Sequence, residues 1–515
     1  MGLAVVQSRA AAGVAAPLVT VEAHVTPGLP TLSIVGLPDP AVKESRDRVR
    51  AAIGEAGYAF PAQRVTINLA PADLPKDGGR FDLPIALGVL AATDQLPAQA
   101  LLGWEFLGEL GLGGELRPVR GMLPCAMQAR SAGRGLMVPA GNRDEVTLVD
   151  GIVVAGAHSL AAVVDHLRGV RSLPVSSGRP APCAGRARPI AEHGDYAEVR
   201  GQARAKRALT VAAAGWHHVL LVGPPGAGKS MLASRLAGIL PPMEEPEALE
   251  SAAVWSISHQ GFTVERWGVR PFRAPHHTVS GVALVGGGST PMPGEVSLAH
   301  HGVLFLDEFN EFDRRALEVL REPLETQRIV ISRAARQAEF PAAFQLIGAL
   351  NPFPDSDGVD DASGLGADQR RRRLLGKRLS APLLDRIDLQ LEIPPVSPEV
   401  LRGAASDSDA AETSAALRDR VTAARRRGLA RAGKPNGRLG PAEILRDCAL
   451  DAHGERLLQR AHQRLGLSGR GQHRVLRMAR TIADLDASPT IELQHLSEAL
   501  SYRELDRSEP SPTSM

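Results

Sequence analysis

The chain has 515 residues, enough for two or three domains with a core each. It is 44% hydrophobic and 23% charged, an ordinary globular composition, and its formal net charge of +2 does not by itself imply a nucleic-acid partner, the basic residues being clustered instead. Cys125, Cys183 and Cys448 lie far apart with no metal spacing, which argues against a disulfide framework or a zinc finger and for a reducing, cytoplasmic setting. Met1–Val6 lacks signal-peptide character, and no stretch approaches the ~20 apolar residues of a membrane span.

Residues 1–168 alternate β-rich runs (Leu18–Val25, Thr31–Val35, Arg64–Leu69, Gly151–Ala155) with helical stretches (Val42–Ala56, Leu83–Ala92), which predicts an α/β domain. Residues 169–194 are rich in Pro, Ser, Gly and Arg and read as a linker. A second α/β domain spans 195–395 and ends at Ile393-Pro394-Pro395. Residues 396–505 read as mostly helical, with an acidic Ala/Ser-rich connector at Gly403–Ser414, and 506–515 as a disordered tail.

The second domain opens on Val219–Val222, a buried-strand pattern, followed by Gly223, Pro224, Pro225, Gly226, Ala227, Gly228, Lys229 and Ser230 and then by helical spacing over Met231–Leu240. This is GxxxxGK[ST] in its required context, because backbone N–H groups of a glycine-rich turn at a helix start bind an anion. Lys229 is placed to reach the β- and γ-phosphates of ATP, and Ser230 to ligate Mg²⁺. A second buried run, Val303–Leu306, ends in Asp307 and Glu308, the first to hold the Mg²⁺ and the second to polarise the attacking water. Between the two motifs, Arg270–Glu308 is dense in Gly and Pro and reads as exposed loops, with Gly286-Gly287-Gly288 costly inside any helix or strand.

The string RPFRAPHHTVSGVALVGGGSTPMPGEVSLAHHGVLFLDE resembles the magnesium-chelatase-like branch of AAA+ ATPases, in particular the YifB/ComM family. The resemblance covers nearly the whole chain. It implies a Lon-protease-like N-terminal α/β domain (ribosomal S5 domain 2-like), an AAA+ P-loop core and a C-terminal helical lid. It further implies that Asn351, in LIGALNP, is the sensor that orients the lytic water. Arg386, in LSAPLLDRIDL, resembles the arginine finger that reaches a neighbouring subunit's γ-phosphate. Arg470, in SGRGQHRVLRMARTIADL, resembles the second sensor, with Arg474 next in line. Relatives commonly carry cysteines after the sensor Asn-Pro. Here the stretch Phe353–Arg373 has none, leaving an acidic loop that is either disordered or a divalent-ion site at Asp355, Asp357, Asp360 and Asp361.

LPKDGGRFDLPIALGVLAA, Leu74–Ala92, resembles the Lon peptidase segment around its catalytic serine, which falls at Arg80 here. GELRPVRGMLPCAMQARSAG, Gly114–Gly133, resembles the segment with the catalytic lysine, which falls at Leu123. Arginine cannot attack and leucine cannot accept a proton, so no peptidase chemistry is expected. Lys76 and Arg80 then read as positive charge for a partner, and the domain as either a packing and oligomerisation module or a DNA-binding one.

Three functions compete on the sequence. The first is a ring-forming DNA translocase, expected as a hexamer, on branched or duplex DNA, as the resemblance implies (branch migration during uptake of transforming DNA). The second is an ATPase subunit of a metal-insertion complex, and the third is a remodeller of polypeptides. RIVISRAARQAEF, Arg328–Phe340, has strand-turn-strand character and resembles a pore hairpin, which makes Arg333 and Arg336 the candidate DNA contacts. Two basic clusters are further candidates: Arg370–Arg373 with Lys377 and Arg378, and Arg425–Arg427 with Arg431, Lys434 and Arg438.

Overall fold

The computed structural model describes residues 2–179, 194–333, 336–351, 379–397 and 412–503, and only the backbone of Arg333, Arg336 and Ala381. The N-terminal unit is built on β1 (Gly2–Arg9), β2 (Leu18–Thr26), β3 (Thr31–Val35), β4 (Arg64–Ala70), β5 (Trp104–Phe106), the small ribbon β6 (Glu109–Leu110) with β7 (Leu116–Arg117), β8 (Gly135–Pro139), β9 (Val153–Ala157) and β10 (Val175–Ser177). Eight of these form one mixed sheet in the order β10-β9-β8-β5-β1-β2-β4-β3. In β2 and β4 alternate residues are buried, as a half-covered pleat requires. The cover is the Asp82–Ala92 helix, buried along its whole length against β1 and β2. The Pro40–Glu55 helix packs beside it, started by Asp39, whose carboxylate accepts from the Val42 N–H, and by Pro40 in the first turn.

The sequence-derived linker begins as structure. Residues Val175–Ser177 add strand β10 antiparallel to β9, and Gly178 allows the turn, since a Cβ there would lie 2.0 Å from the Val149 carbonyl oxygen. Composition concealed this edge strand because Ser and Pro are common at sheet edges.

The second domain holds a five-stranded parallel sheet, β12-β15-β18-β11-β19, made of β11 (Val219–Val222), β12 (Phe272–Arg273), β15 (Val303–Leu306), β18 (Gln345–Leu350) and β19 (Leu389–Glu392). Its central strands are apolar runs buried on both faces, as parallel sheets demand. The Gly/Pro-dense segment is less exposed than its composition predicts. Gly286–Gly287 (β13) bridges Met292–Pro293 (β14), and Val296, Ser297 and Leu298 are buried in a short helix. Gly286 is at φ +107, where a Cβ would meet the Met292 carbonyl oxygen at 2.3 Å, so glycine here permits a close ribbon. Between β15 and β18, β16 (Arg328–Arg333) and β17 (Arg336–Pro341) form an antiparallel hairpin with Arg333 opposite Arg336.

The C-terminal part is helical: Ser414–Ala432, Pro441–Asp447, Ala452–Leu465, Gly469–Leu485 and Leu493–Ser501. It shares one apolar core with β11, β19 and the Ala203–Gly215 helix. The N-terminal unit is joined to the second domain by another shared core, in which Met122, Leu123 and Val146 pack with Met243, Ala248, Ala252 and Trp267. The Glu245–Ile257 helix forms this seam. The Gly121 N–H donates to the Ser256 carbonyl at 2.9 Å, and the Ser256 hydroxyl donates to Glu145, whose pKa is raised by burial. The opposite side of that helix presents Glu250 to His300 and His301 (3.2 and 2.8 Å), just before β15. No described helix is long and apolar enough to cross a membrane.

Candidate functional site

The phosphate loop follows the C-terminal end of β11 and runs into the Lys229–Ile239 helix. Gly223 is held against β19, where a Cβ would lie 2.3 Å from the Ile393 carbonyl oxygen. Gly228 sits at φ +88, which turns the backbone so that Lys229 starts the helix. Lys229 Nζ donates to Gly223 O (2.8 Å), Pro224 O (2.9 Å) and Asn351 Oδ1 (2.7 Å), satisfying its three donors. Burial lowers its pKa and the nearby Asp307 opposes this. The loop, the ammonium and Asn351, just past the end of β18, therefore meet at one point.

The acidic pair stands beside them. Ser230 Oγ donates to Asp307 Oδ2 at 2.6 Å, and Asp307 Oδ1 accepts the Glu308 N–H at 2.9 Å. A hydroxyl and a carboxylate oxygen in contact are a hard-oxygen set that fits Mg²⁺. When bound, that ion would neutralise phosphate charge between Ser230 and Asp307. Glu308 takes φ +50, an uncommon conformation for a non-glycine residue, and its Oε2 lies 3.0 Å from His277 Nδ1. The run RPFRAPHHTVS contains His277, but sequence reasoning gave it no role. A ring nitrogen in a glycine-poor stretch between two motifs was the only available signal.

Arg386 and Arg470 are not brought to this group. Arg386 precedes β19, at the N-terminal end of the parallel strands, opposite the loop. It bonds Glu325, and Arg470 Nη1 lies 3.8 Å from the same Glu325 Oε1. Both line a cavity of about 380 Å³ between core and lid that includes none of residues 223–230, Asp307, Glu308 or Asn351. Arg474, at the same cavity, is buried and paired with Asp385 at 3.3 Å. A single carboxylate, Glu325, gathers the two arginines. Nothing in the sequence singled it out, because its partners lie 61 and 145 residues downstream.

The basic residues proposed elsewhere divide. Lys76 and Arg80 do not offer charge to a partner: Lys76 is fully buried with its ammonium on the Pro71 carbonyl, and Arg80 donates to the Arg120 carbonyl at 3.0 Å. Arg80 thereby fills the space beside the start of the Met122–Ser131 helix, where Leu123 is buried. In the cluster from Arg425 to Arg438, Arg425 bonds the Ala213 and Ala214 carbonyls, Arg427 the Asp484 carbonyl, Arg431 the Asp484 carboxylate, and Lys434 Glu443. That run is mainly lid structure rather than a continuous cationic face. The side chains of Arg333 and Arg336 lie outside the described residues, as do Asp355, Asp357, Asp360, Asp361, Arg370–Arg373, Lys377 and Arg378.

Three family models match. Residues 195–401 match magnesium chelatase subunit ChlI, 21–142 match subunit ChlI of Mg-chelatase, and 411–503 match the ChlI C-terminal region. Competence protein ComM of Haemophilus influenzae is 47% identical over 511 residues, covering 98% of each chain. The uncharacterized protein YifB of Escherichia coli is 48% identical over 507 residues, again covering 98% of each. The uncharacterized protein Rv2897c of Mycobacterium tuberculosis is 42% identical over 508 residues, covering 96% of this chain and 98% of its own. With a phosphate loop, an acidic strand end and a helical lid on one α/β core, the chain belongs to the YifB/ComM family of magnesium-chelatase-like AAA+ ATPases.

Proposed function

We propose that the chain hydrolyses ATP with Mg²⁺ as a ring-forming DNA motor, a branch-migration helicase or translocase acting on recombination intermediates in the cytoplasm. The observation that supports a ring is the separation of the two halves of the site. Lys229, Ser230, Asp307, Glu308 and Asn351 meet at the C-terminal ends of the strands. Arg386 and Arg470 share Glu325 at the opposite, N-terminal end, beyond roughly 13 Å of strand. A guanidinium there serves a neighbour's nucleotide, not its own, and six such interfaces close a hexamer. Within each site, Lys229 and the loop N–H groups hold the phosphates, Asn351 positions the water and Glu308 accepts its proton.

DNA as the substrate is supported by the name of the Haemophilus relative, a competence protein, and by the arginine-tipped hairpin Arg328–Pro341. The match to chelatase subunit models favours a second reading, an ATPase subunit or remodeller acting on a protein partner. Turnover of ATP with and without forked, four-way and linear DNA separates them. Stimulation by DNA is expected, and its absence with every DNA would remove the motor reading.

A further inference from the structure

Away from the phosphate loop, a cavity of about 220 Å³ lies between core and lid. Trp216, which ends the Ala203–Gly215 helix at φ +63, forms one wall and is 4% exposed. Three guanidiniums surround its indole, with Arg438, Arg425 and Arg270 at 5.2, 5.3 and 5.4 Å from the ring centroid. Each contact is attractive, but the cations repel one another. Burial first, with Arg270 close by, pushes Arg425 down to about 9 and Arg438 to about 10.

The counter-charges are unequally shared. Arg270 is fully engaged by Glu247, Pro241 O, Pro242 O and His301 O, and Arg425 by the two helix-end carbonyls. Arg438 has no hydrogen bond or ion pair from its guanidinium among the described residues, and Trp216 Nε1 is buried without an acceptor. Arg426, exposed, and Lys434 complete the lining, against Glu244 and Glu247 as the carboxylates. The cavity thus holds an excess of positive charge with one guanidinium and one indole N–H unassigned. Arg438 is half-buried, so its charge is only partly hydrated, and an entering anion would supply the missing counter-charge.

We propose that this cavity is a phosphate-binding site, in which Arg438, with Arg426 at the mouth, takes the phosphoryl oxygens of a free phosphate compound or of a nucleic-acid strand. Its size suits one phosphoryl group with water, being below the ~300–1,000 Å³ of sites that enclose whole ligands. Guanidinium forks match phosphate oxygens, and the indole face covers the flat side of the arginine. The cavity is distinct from this chain's own phosphate loop, and Trp216 and Arg438 form the wall it shares with the larger cavity of Arg386 and Arg470. Arg270 hangs from Pro241 and Pro242, which follow the far end of the Lys229–Ile239 helix, roughly 16 Å along its axis from Lys229.

The test uses the full chain carrying Lys229→Ala, so that the phosphate loop does not dominate binding. Tryptophan emission is titrated with pyrophosphate and, separately, with a single-stranded oligonucleotide. A saturable change that is lost in Trp216→Phe is expected with at least one of them, and affinity should fall about tenfold or more in Arg438→Gln. Response to pyrophosphate alone assigns the free compound, and response to the oligonucleotide alone assigns a strand. Arg426→Gln, at an exposed position, should weaken binding too and serves if Arg438→Gln fails to fold. No Trp216-dependent change with either ligand, unchanged affinity in both arginine variants, or an equal response to glutamate would overturn the proposal. It does not depend on the DNA-motor reading, since DNA-stimulated turnover is measured separately.

Discussion

His277 Nδ1 stands 3.0 Å from Glu308 Oε2, so the carboxylate assigned to water activation is already engaged by a neighbour on the preceding segment. A carboxylate held by an imidazole must let go, or share, before it can accept a proton from water. His277→Ala should therefore raise basal ATP turnover severalfold and reduce the further stimulation by DNA, with KM little changed. Slower basal turnover would mean that His277 orients Glu308 for catalysis instead.

The roles of Lys229 and Glu308 separate by substitution. Lys229→Ala should lose nucleotide affinity, because the cation that meets Asn351 and the loop carbonyls is gone. Glu308→Gln should still bind ATP and turn over at least ~10²-fold more slowly. Near wild-type hydrolysis by Glu308→Gln, in a direct phosphate-release assay, would remove the assignment.

Arg386→Ala should be inactive alone and should recover part of its activity when mixed with Lys229→Ala. Mixed rings contain interfaces with an intact loop on one side and an intact Glu325-gathered arginine pair on the other. Arg470→Ala should complement in the same way. Activity independent of protein concentration in a species that sediments as a monomer would rule out the shared site.

If the hairpin tip grips DNA, affinity should fall linearly on a log–log salt plot with a slope of about −0.9 per phosphate neutralised. Replacing Arg333 and Arg336 together by Ala should make that slope shallower by up to ~2 and uncouple ATP turnover from DNA while basal hydrolysis survives. An unchanged slope would move the contact elsewhere.

Acid should loosen the strand that leads to Asn351. His218 and His300 are each pushed down to about 4 by burial, and their Nδ1 atoms accept the Leu346 and Ala343 N–H groups. The unfolded chain protonates these rings near ~6.5, so between about 6.5 and 4 it binds more protons than the folded one. Stability from these two groups is thus full above the window and falls as pH drops through it. Asp82, raised to about 6 by burial, acts in the opposite sense, which is why the comparison must be between variants. The drop in urea midpoint from pH 7.5 to 5.5 should be smaller in His300→Gln than in the parent. Equal drops would contradict the assignment.

Much of the nucleotide site was legible because its residues are local. Gly223–Ser230 and Val303–Glu308 are short strings in which strand, turn and helix follow one another, so the spacing itself carries the geometry. Glu325 and His277 could not be read this way, because each acts through a residue brought close only by the fold. The cationic run from Arg425 to Arg438 misled for the converse reason. Arg425 turns inward onto the Ala213 and Ala214 carbonyls while Arg427 and Arg431 bond Asp484, which no count of charges reveals. Strand β10 was hidden by an edge composition that resembles a linker.

Trp267 and Met243 belong to the second domain by sequence and to the N-terminal unit's core by packing. A chain cut at an engineered protease site between residues 179 and 194 should therefore migrate as one particle under native conditions, its two pieces parting only in denaturant. The covalent joint between the units is dispensable, and the Glu245–Ile257 helix is the hinge pin that remains.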